Sequence, residues 1–294
     1  MTAIKSSELL TNDDGSIFHL HLHPEELADD IFLVGDPGRV ESIASHFETI
    51  ELKKSNREFY TITGRYQGHR FTVLSTGIGP DNIDIVINEL DALANIDLHA
   101  REIKPTGRTL NIVRIGTSGS VQADIPVGAF VISEKSIGCD GVLRFYDRQE
   151  SVCDSEFEEA FIQACQWTPF AARPYVVTAD ETLVGRLHTE GQTFKGVTLT
   201  AVGFYGPQGR VLRLPLAMPN INDRISAFCY QGYRVTNYEM ESAAITGLCN
   251  LLGHRATTIC LIIANRIQGD ASADYHSRME QLIRYTLDQM TNNR

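Results

Sequence analysis

The chain is short of positive charge. Over 294 residues, 26 lysines and arginines stand against 37 aspartates and glutamates, a formal net charge of −11. That balance argues against nucleic acid or an anionic membrane surface as a partner, because both call for a basic face. Any anion bound here must be held by a local cluster of donors working against the global field. Paired cysteines are lacking too. Cys139, Cys153, Cys165, Cys229, Cys249 and Cys260 are scattered with no CxxC pair, which argues against a zinc ribbon or a disulfide framework and fits a reducing, cytoplasmic setting. No apolar run approaches the roughly 20 residues of a membrane span. The opening MTAIKSSELLTNDDG has no basic segment followed by an apolar one, so no signal peptide is expected. GxxxxGK[ST], GxSxG and HExxH are absent, so a Walker loop, a nucleophile elbow and a zincin helix are not indicated.

What is present is a sizeable core, with 43% hydrophobic residues. The runs IFLVG (31–35), FTVLSTG (71–77), LNIVRIG (110–116) and TTICLIIA (257–264) read as buried strands. Amphipathic stretches lie between and beyond them: 39–47, 81–94, 155–167, 238–252 and 273–290. Continuous β-rich runs alternating with helices predict an α/β fold, a central sheet flanked by helices on both faces. The hairpin-like 58–75 predicts that the sheet is mixed. No linker or internal repeat divides the chain, which reads as a single domain over 1–294. Ligands are expected at the carboxyl ends of the strands, where the glycine-rich segments fall.

Several stretches could carry chemistry, and each also has a plain reading. VGDPGRV (34–40) runs from a strand into a helix whose free N-terminal amides, with Arg39, suit an anion; it is equally a simple strand-to-helix turn. RIGTSGS (114–120) gathers donors suited to phosphate after a strand, or is a loop of small residues. NYEMES (237–242) opens a helix with two acids, ordinary complements of the helix dipole, one of which could accept both hydroxyls of a sugar diol. GFYGPQGR (203–210) is a turn-rich loop whose Gln208 matches a ring showing a C=O beside an N–H, with Phe204 able to stack on it. IFHLHLH (17–23) would place His19, His21 and His23 on one face if it were a strand, which raises the question of a metal site.

Taken together, FHL (18–20), GDPGRV (35–40), REF (57–59), STGIG (75–79), RIGTSG (114–119), FYGPQGR (204–210), NYEMES (237–242) and NR (265–266) resemble, in order along the chain, the nucleoside phosphorylase-I family and within it the uridine phosphorylases. The resemblance implies a single α/β domain of the phosphorylase-hydrolase-like fold and the reversible phosphorolysis of a nucleoside. It implies a phosphate site of Gly35, Arg39, Arg114 and Thr117, with Arg57 supplied by a neighbouring subunit. Met240 and Glu241 would contact the ribose, and His19 would reach its 5′-hydroxyl across the subunit boundary. Thr117, Ser118, Gly119, Phe204, Gln208, Arg210 and Arg266 would form the base pocket, with Arg114, Gln208 and Arg210 carrying the catalysis. Partners would be a nucleoside, phosphate and further copies of the chain, as dimer or hexamer.

Purine-selective relatives place an aspartate after the late apolar strand; here Asn265 follows CLIIA and cannot act as that general acid. With FYxxQxR, this points to a pyrimidine, preferably uridine, with deoxyuridine or thymidine as further substrates. The rivals are a purine nucleoside phosphorylase, a nucleosidase of the same fold, and a non-catalytic nucleoside-binding protein. No metal or cofactor is expected beyond phosphate as co-substrate, and His21 and His23 are expected to be solvated or hydrogen-bonded near an interface. After STGIG the chain reads PDN, so Asn82 stands where some relatives help hold a structural monovalent cation; that cation is left open. The segments 92–111 and 136–150 also depart from the compact bacterial pattern.

Overall fold

The run DIFLV forms strand β1 (Asp30–Val34), buried at every position. Its odd and even residues serve different cores. Ile31 and Leu33 pack into a cluster with residues of α2 (Pro80–Asn95) and α6 (Ser242–Leu252). Phe32 and Val34 pack into another with α1 (Pro37–Ala44), α4 (Glu181–Leu187) and α7 (His276–Asn292). A strand covered on both faces needs apolar residues without alternation, which is why these runs read as continuous. A computed structural model describes residues 3–272 and 274–292.

The other long strands are β2 (Thr49–Asn56), β3 (Phe59–Tyr66), β4 (His69–Ser75), β5 (Asn111–Ser120), β6 (Phe130–Gly138), β7 (Tyr175–Thr178), β8 (Thr193–Thr200), β9 (Tyr233–Glu239) and β10 (Arg255–Asn265). They lie in the order β9-β8-β6-β10-β5-β1-β4-β3-β2, with β7 beside β6. β1 is parallel to β4 and β5, and β5 to β10, whereas β2–β3–β4 form an antiparallel meander. The sheet is therefore mixed, and the fold is the expected α/β class. Helices α3 (Ser155–Cys165) and α5 (Ile221–Ala227) cover a third apolar cluster.

The end of β9 also pairs with the end of β5, antiparallel, Asn237 opposite Ser120 and Tyr238 opposite Gly119. That pairing closes β5, β10, β6, β8 and β9 into a ring. A register shift between Ile262 and Ala264 of β10 lies opposite Ser118 and Gly119; such bulges commonly re-aim side chains beside sites. Among the described residues no helix is long and apolar enough to cross a membrane.

Two expectations are corrected, and the condition posed for IFHLHLH is not met. RIGTSGS is not a loop: β5 continues to Ser120, since its small residues have ring partners on both sides. NYEMES does not open a helix: Asn237–Glu239 finish β9, and α6 starts at Ser242. IFHLHLH is not a strand: it is a compact turn, with Ile17 N–H donating to Leu22 O (2.9 Å) and His21 N–H to Ile17 O (3.0 Å). His21 sits at φ +55°.

Candidate active site

Ring closure brings the carboxyl ends of β5 and β9 beside the turns that follow β1 and β4. In the β1–α1 turn, Gly35 is half-buried and the Asp36 carboxylate caps α1 by accepting from Gly38 N–H (2.9 Å). Pro37 occupies the first helical turn, where its missing N–H has no cost. Arg39 points inward, 9% exposed, and its Nη1 donates to Ile115 O (3.3 Å). Burial and then the like charge of Arg114 depress its pKa, although Asp36 opposes this.

Arg114 on β5 is buried. Its guanidinium folds back over Gly116, where a β-carbon would overlap it. Nη2 forms an ion pair with the Glu241 carboxylate, and Nη1 lies 3.5 Å from Glu239 Oε2. Burial works against the Arg114 charge, but Glu241 and then Glu239 outweigh it and raise its pKa. Glu241, 1% exposed, also accepts from Gly79 N–H (2.9 Å) at the start of α2. Burial raises the Glu241 carboxyl, with Glu239 adding to the rise and Arg114 and the Gly79 amide opposing it. Met240 is half-buried between the two acids, and Thr117 is half-buried on β5. Ser118 is buried, its hydroxyl accepting from Asn237 Nδ2 (2.9 Å).

A second group converges on Gln208, itself 3% exposed. Gln208 Oε1 accepts from Arg210 Nη1 (2.7 Å) and Arg266 Nη2 (2.6 Å), and Arg266 Nη1 donates to Gln208 O. Arg210 stacks on Phe204, its Cζ 3.8 Å from the ring centroid; Arg266 lies over Tyr238 at 4.6 Å. Gly119 leaves room for the Arg266 side chain, since a β-carbon there would stand 3.3 Å from Nε. Burial, then the nearby Arg210, holds the Arg266 pKa down at about 10. Burial depresses Arg210 as well. Phe204 remains 51% exposed, an open aromatic face at the rim.

The two groups use residues from β1–α1, β4–α2, β5, β9–α6, the 204–210 loop and the end of β10. Together they offer two guanidiniums beside a buried carboxylate, then an amide held by two more guanidiniums.

His19 and Arg57 do not join either group. They meet each other around Phe18, whose ring lies 5.8 Å from Arg57 Cζ and edge-on to His19 at 4.9 Å. His19 Nδ1 is 2.6 Å from Glu89 Oε1, and Asn56 Nδ2 donates to His19 O (2.8 Å). Arg57 is exposed at the β2–β3 turn, at φ +55°. His21 and His23 turn instead to Asp14, Nε2 to Oδ2 distances of 3.0 and 3.9 Å. Among the described residues no group of His, Cys, Asp or Glu is arranged to hold a metal ion.

Asn265 has a structural task. Its Nδ2 donates to Gln122 O and Ile125 O (2.9 Å each), and its Oδ1 accepts from Ile267 N–H (3.0 Å) and Gln268 N–H (2.9 Å). Asn82 lies against Gly77, where a β-carbon would overlap its side-chain amide. The segment 92–111 holds the N-terminal stretch: Arg101 Nε donates to Ile4 O (2.9 Å).

Sequence reasoning left Glu239, Thr200 and the Gly79 amide without a role. The first acid of NYEMES was the available signal for Glu239, and STGIG contained Gly79 without giving its amide a task; nothing local marked Thr200.

The profile of the phosphorylase superfamily matches residues 30–288. The chain is 29% identical over 273 residues to the uridine phosphorylase of Thermococcus kodakarensis, covering 90% of this chain and 83% of that protein. It is 27% identical over 256 residues to the DeoD-type purine nucleoside phosphorylase of Listeria welshimeri, covering 87% and 90%. A crystal structure of a Trypanosoma brucei nucleoside phosphorylase, described as showing uridine phosphorylase activity, superposes with a TM-score of 0.83 at 27% identity, covering 97% of this chain and all of that one (100%). The chain belongs to the phosphorylase superfamily.

Proposed function

We propose that the protein is a pentosyltransferase of pyrimidine nucleoside salvage, catalysing the reversible phosphorolysis of uridine to uracil and α-D-ribose 1-phosphate, with deoxyuridine and thymidine as further substrates. The observation that carries this reading is the buried Arg114–Glu241 pair standing beside Arg39, with an amide–guanidinium group at Gln208. The uridine phosphorylase relatives support it.

In this reading Arg114 and Glu241 balance one another's charge. Arg39 and Arg114, with Gly35 and Thr117, take the phosphate. Glu241 turns to the ribose diol, for which an ionised carboxylate is an acceptor-only partner, and Met240 packs against the sugar. The glycosidic bond breaks with positive charge growing on the ribose and negative charge on the leaving base. Phosphate beneath C1′ is nucleophile and counter-charge, and fixing it in line turns a bimolecular step into a positioned one. Arg210 and Arg266 hold Gln208 by its carbonyl oxygen, leaving Nε2 to donate to a uracil carbonyl. Gln208 and Arg210 then stabilise charge developing on the uracil oxygens. Ser118 and Gly119 line the base side, and Phe204 closes over the ring. No covalent intermediate is needed, and inversion at C1′ gives the α-anomer.

His19 and Arg57 share one outer patch apart from the two inner groups, which fits residues presented to a neighbouring subunit's site. The active unit is then at least a dimer. No metal or cofactor has a role in this scheme, and a cytoplasmic setting suits the unpaired cysteines.

The test is base release from uridine, thymidine and inosine, each with and without inorganic phosphate. Phosphate-dependent uracil release, with inosine the poorest substrate, is expected. Turnover without phosphate would make the protein a nucleosidase, inosine as best substrate would make it a purine enzyme, and binding without turnover would make it a nucleoside carrier.

A further inference from the structure

Glu239 is the carboxylate that the proposed chemistry leaves unused. It ends β9, is 3% exposed, and is fully engaged. Its Oε1 accepts from the Thr200 hydroxyl on β8 (2.5 Å). Its Oε2 accepts from the backbone N–H of both Glu241 and Ser242 (2.8 Å each) and faces Arg114 Nη1 at 3.5 Å. The Thr200 hydroxyl oxygen in turn accepts from Ala243 N–H (2.9 Å). Free amides at a helix start are a natural anion seat. Here the seat is filled by the protein's own side chain, although Glu239 precedes the helix by three residues.

From this geometry we infer that Glu239 is a positioning residue, which fixes the backbone from which Glu241 reaches the ribose and at the same time holds the phosphate-site Arg114. One buried carboxylate thereby sets the spacing between the sugar contact and the oxyanion contact. The inference rests on the uridine phosphorolysis reading, and it differs from a plain helix cap in tying Arg114 to the same oxygen that holds α6.

Its charge has a second consequence. The groups facing Glu241 are Arg114 and, through it, Cys260 and Arg39, then Glu239 and the Gly79 amide. Of these Glu239 is the like charge, and it raises the Glu241 carboxyl. Removing the Glu239 charge therefore lets Glu241 ionise at lower pH.

The experiment compares the wild-type protein with Glu239→Gln, whose amide oxygen can still accept from both helix amides. Affinities for inorganic phosphate and for ribose 1-phosphate are read by calorimetry, KM and kcat with uridine, and folding by Tm. Both affinities are expected to fall about tenfold or more, as for a lost charge-assisted contact. The acid limb of kcat/KM is expected to move to lower pH, the direction for loss of a like charge. A cap without the positioning role would lower Tm and leave both affinities and the acid limb where they were, which would overturn the inference. If Glu239→Gln does not fold, Thr200→Val decides: it frees one oxygen but keeps the charge, so both affinities should weaken with the acid limb unmoved, and unchanged affinities would overturn the inference. A wild-type protein that binds both anions but releases no uracil would refute the function reading alone, leaving the calorimetric comparison to judge Glu239.

Discussion

Arg114 and Glu241 form a buried ion pair, and among the described residues Arg114 is the one cation that pairs with the Glu241 carboxylate. Glu239 sits 3.5 Å from Arg114 but already accepts from two backbone amides and the Thr200 hydroxyl. Arg39, whose Nη1 donates to Ile115 O, is itself repelled by Arg114. Arg114→Ala should therefore cost about 3–5 kcal/mol of stability, because it strands a buried carboxylate. Chemical denaturation measures that loss. The same variant should lose phosphate binding, whereas Arg114→Lys, a point charge without the planar fork, should fold better than Arg114→Ala yet still bind phosphate poorly.

The acid limb of turnover follows from Glu241. The Glu241 carboxyl is an acceptor at both oxygens, able to take two hydroxyls of a diol at once, only when ionised. Burial, with Glu239, raises its pKa above the usual glutamate value of 4.5. As pH falls through that raised value the carboxylate is lost, so KM for uridine should begin to rise at a higher pH than an ordinary surface glutamate would set. Uridine should be hit harder than deoxyuridine, which offers one hydroxyl fewer. Equal pH dependence for the two substrates would remove Glu241 as the diol acceptor.

Gln208→Glu separates folding from base recognition. A carboxylate at 208 would keep both Arg210 and Arg266 paired, so Tm should hold or rise. It cannot donate to a uracil carbonyl, and it opposes negative charge growing on the base. kcat/KM for uridine should drop about 10²- to 10³-fold, the usual range for losing one oxyanion donor. Differential scanning fluorimetry beside the phosphorolysis assay reads both effects.

These sites show which features were legible in the chain. Strands such as Asp30–Val34 carry their own signal, since burial on two faces demands an unbroken apolar run. VGDPGRV, RIGTSG and NYEMES supply Arg39, Arg114 and Glu241, which the fold brings together, and Gly116 and Gly119 mark where side chains of Arg114 and Arg266 must pass. The pairing of Asn237 with Ser120 was not legible: it joins residues far apart in sequence, and nothing local in either strand names its partner. That pairing turned the expected loop at 117–120 into strand and pulled Tyr238 and Glu239 out of the expected helix. The alternation in IFHLHLH puts no three histidines on one strand face, since the segment is a turn with His21 in a left-handed backbone.

Asn265→Asp tests whether the missing general acid is a simple switch. It is not expected to be one. Asn265 Nδ2 holds the carbonyls of Gln122 and Ile125, both from the loop after β5, and it is 1% exposed. An aspartate keeps the two contacts from Ile267 and Gln268 but has no hydrogen to give those carbonyls, and each unsatisfied buried group costs about 1–3 kcal/mol. The variant should be less stable, show no gain on inosine, and lose uridine activity as the Arg266 end of β10 shifts. A purine activity appearing in Asn265→Asp would refute that assignment.

Shared sites can be tested by complementation. Arg57 is exposed and its guanidinium packs on Phe18, next to His19, rather than on Arg39 or Arg114. If this patch completes a neighbour's phosphate and ribose contacts, Arg57→Ala alone should be nearly inactive while keeping wild-type Tm, because no buried partner is lost. Arg114→Lys should be impaired at its own site. In a dimer reassembled from equal amounts of both variants, half of the chains combine into mixed pairs, and one of the two sites in each mixed pair has both Arg57 and Arg114 intact. Activity should then recover to about a quarter of the wild-type level, the arithmetic of random pairing. Recovery well below that in verified mixed dimers would mean that Arg57 serves its own subunit or none, and would detach both it and His19 from the site.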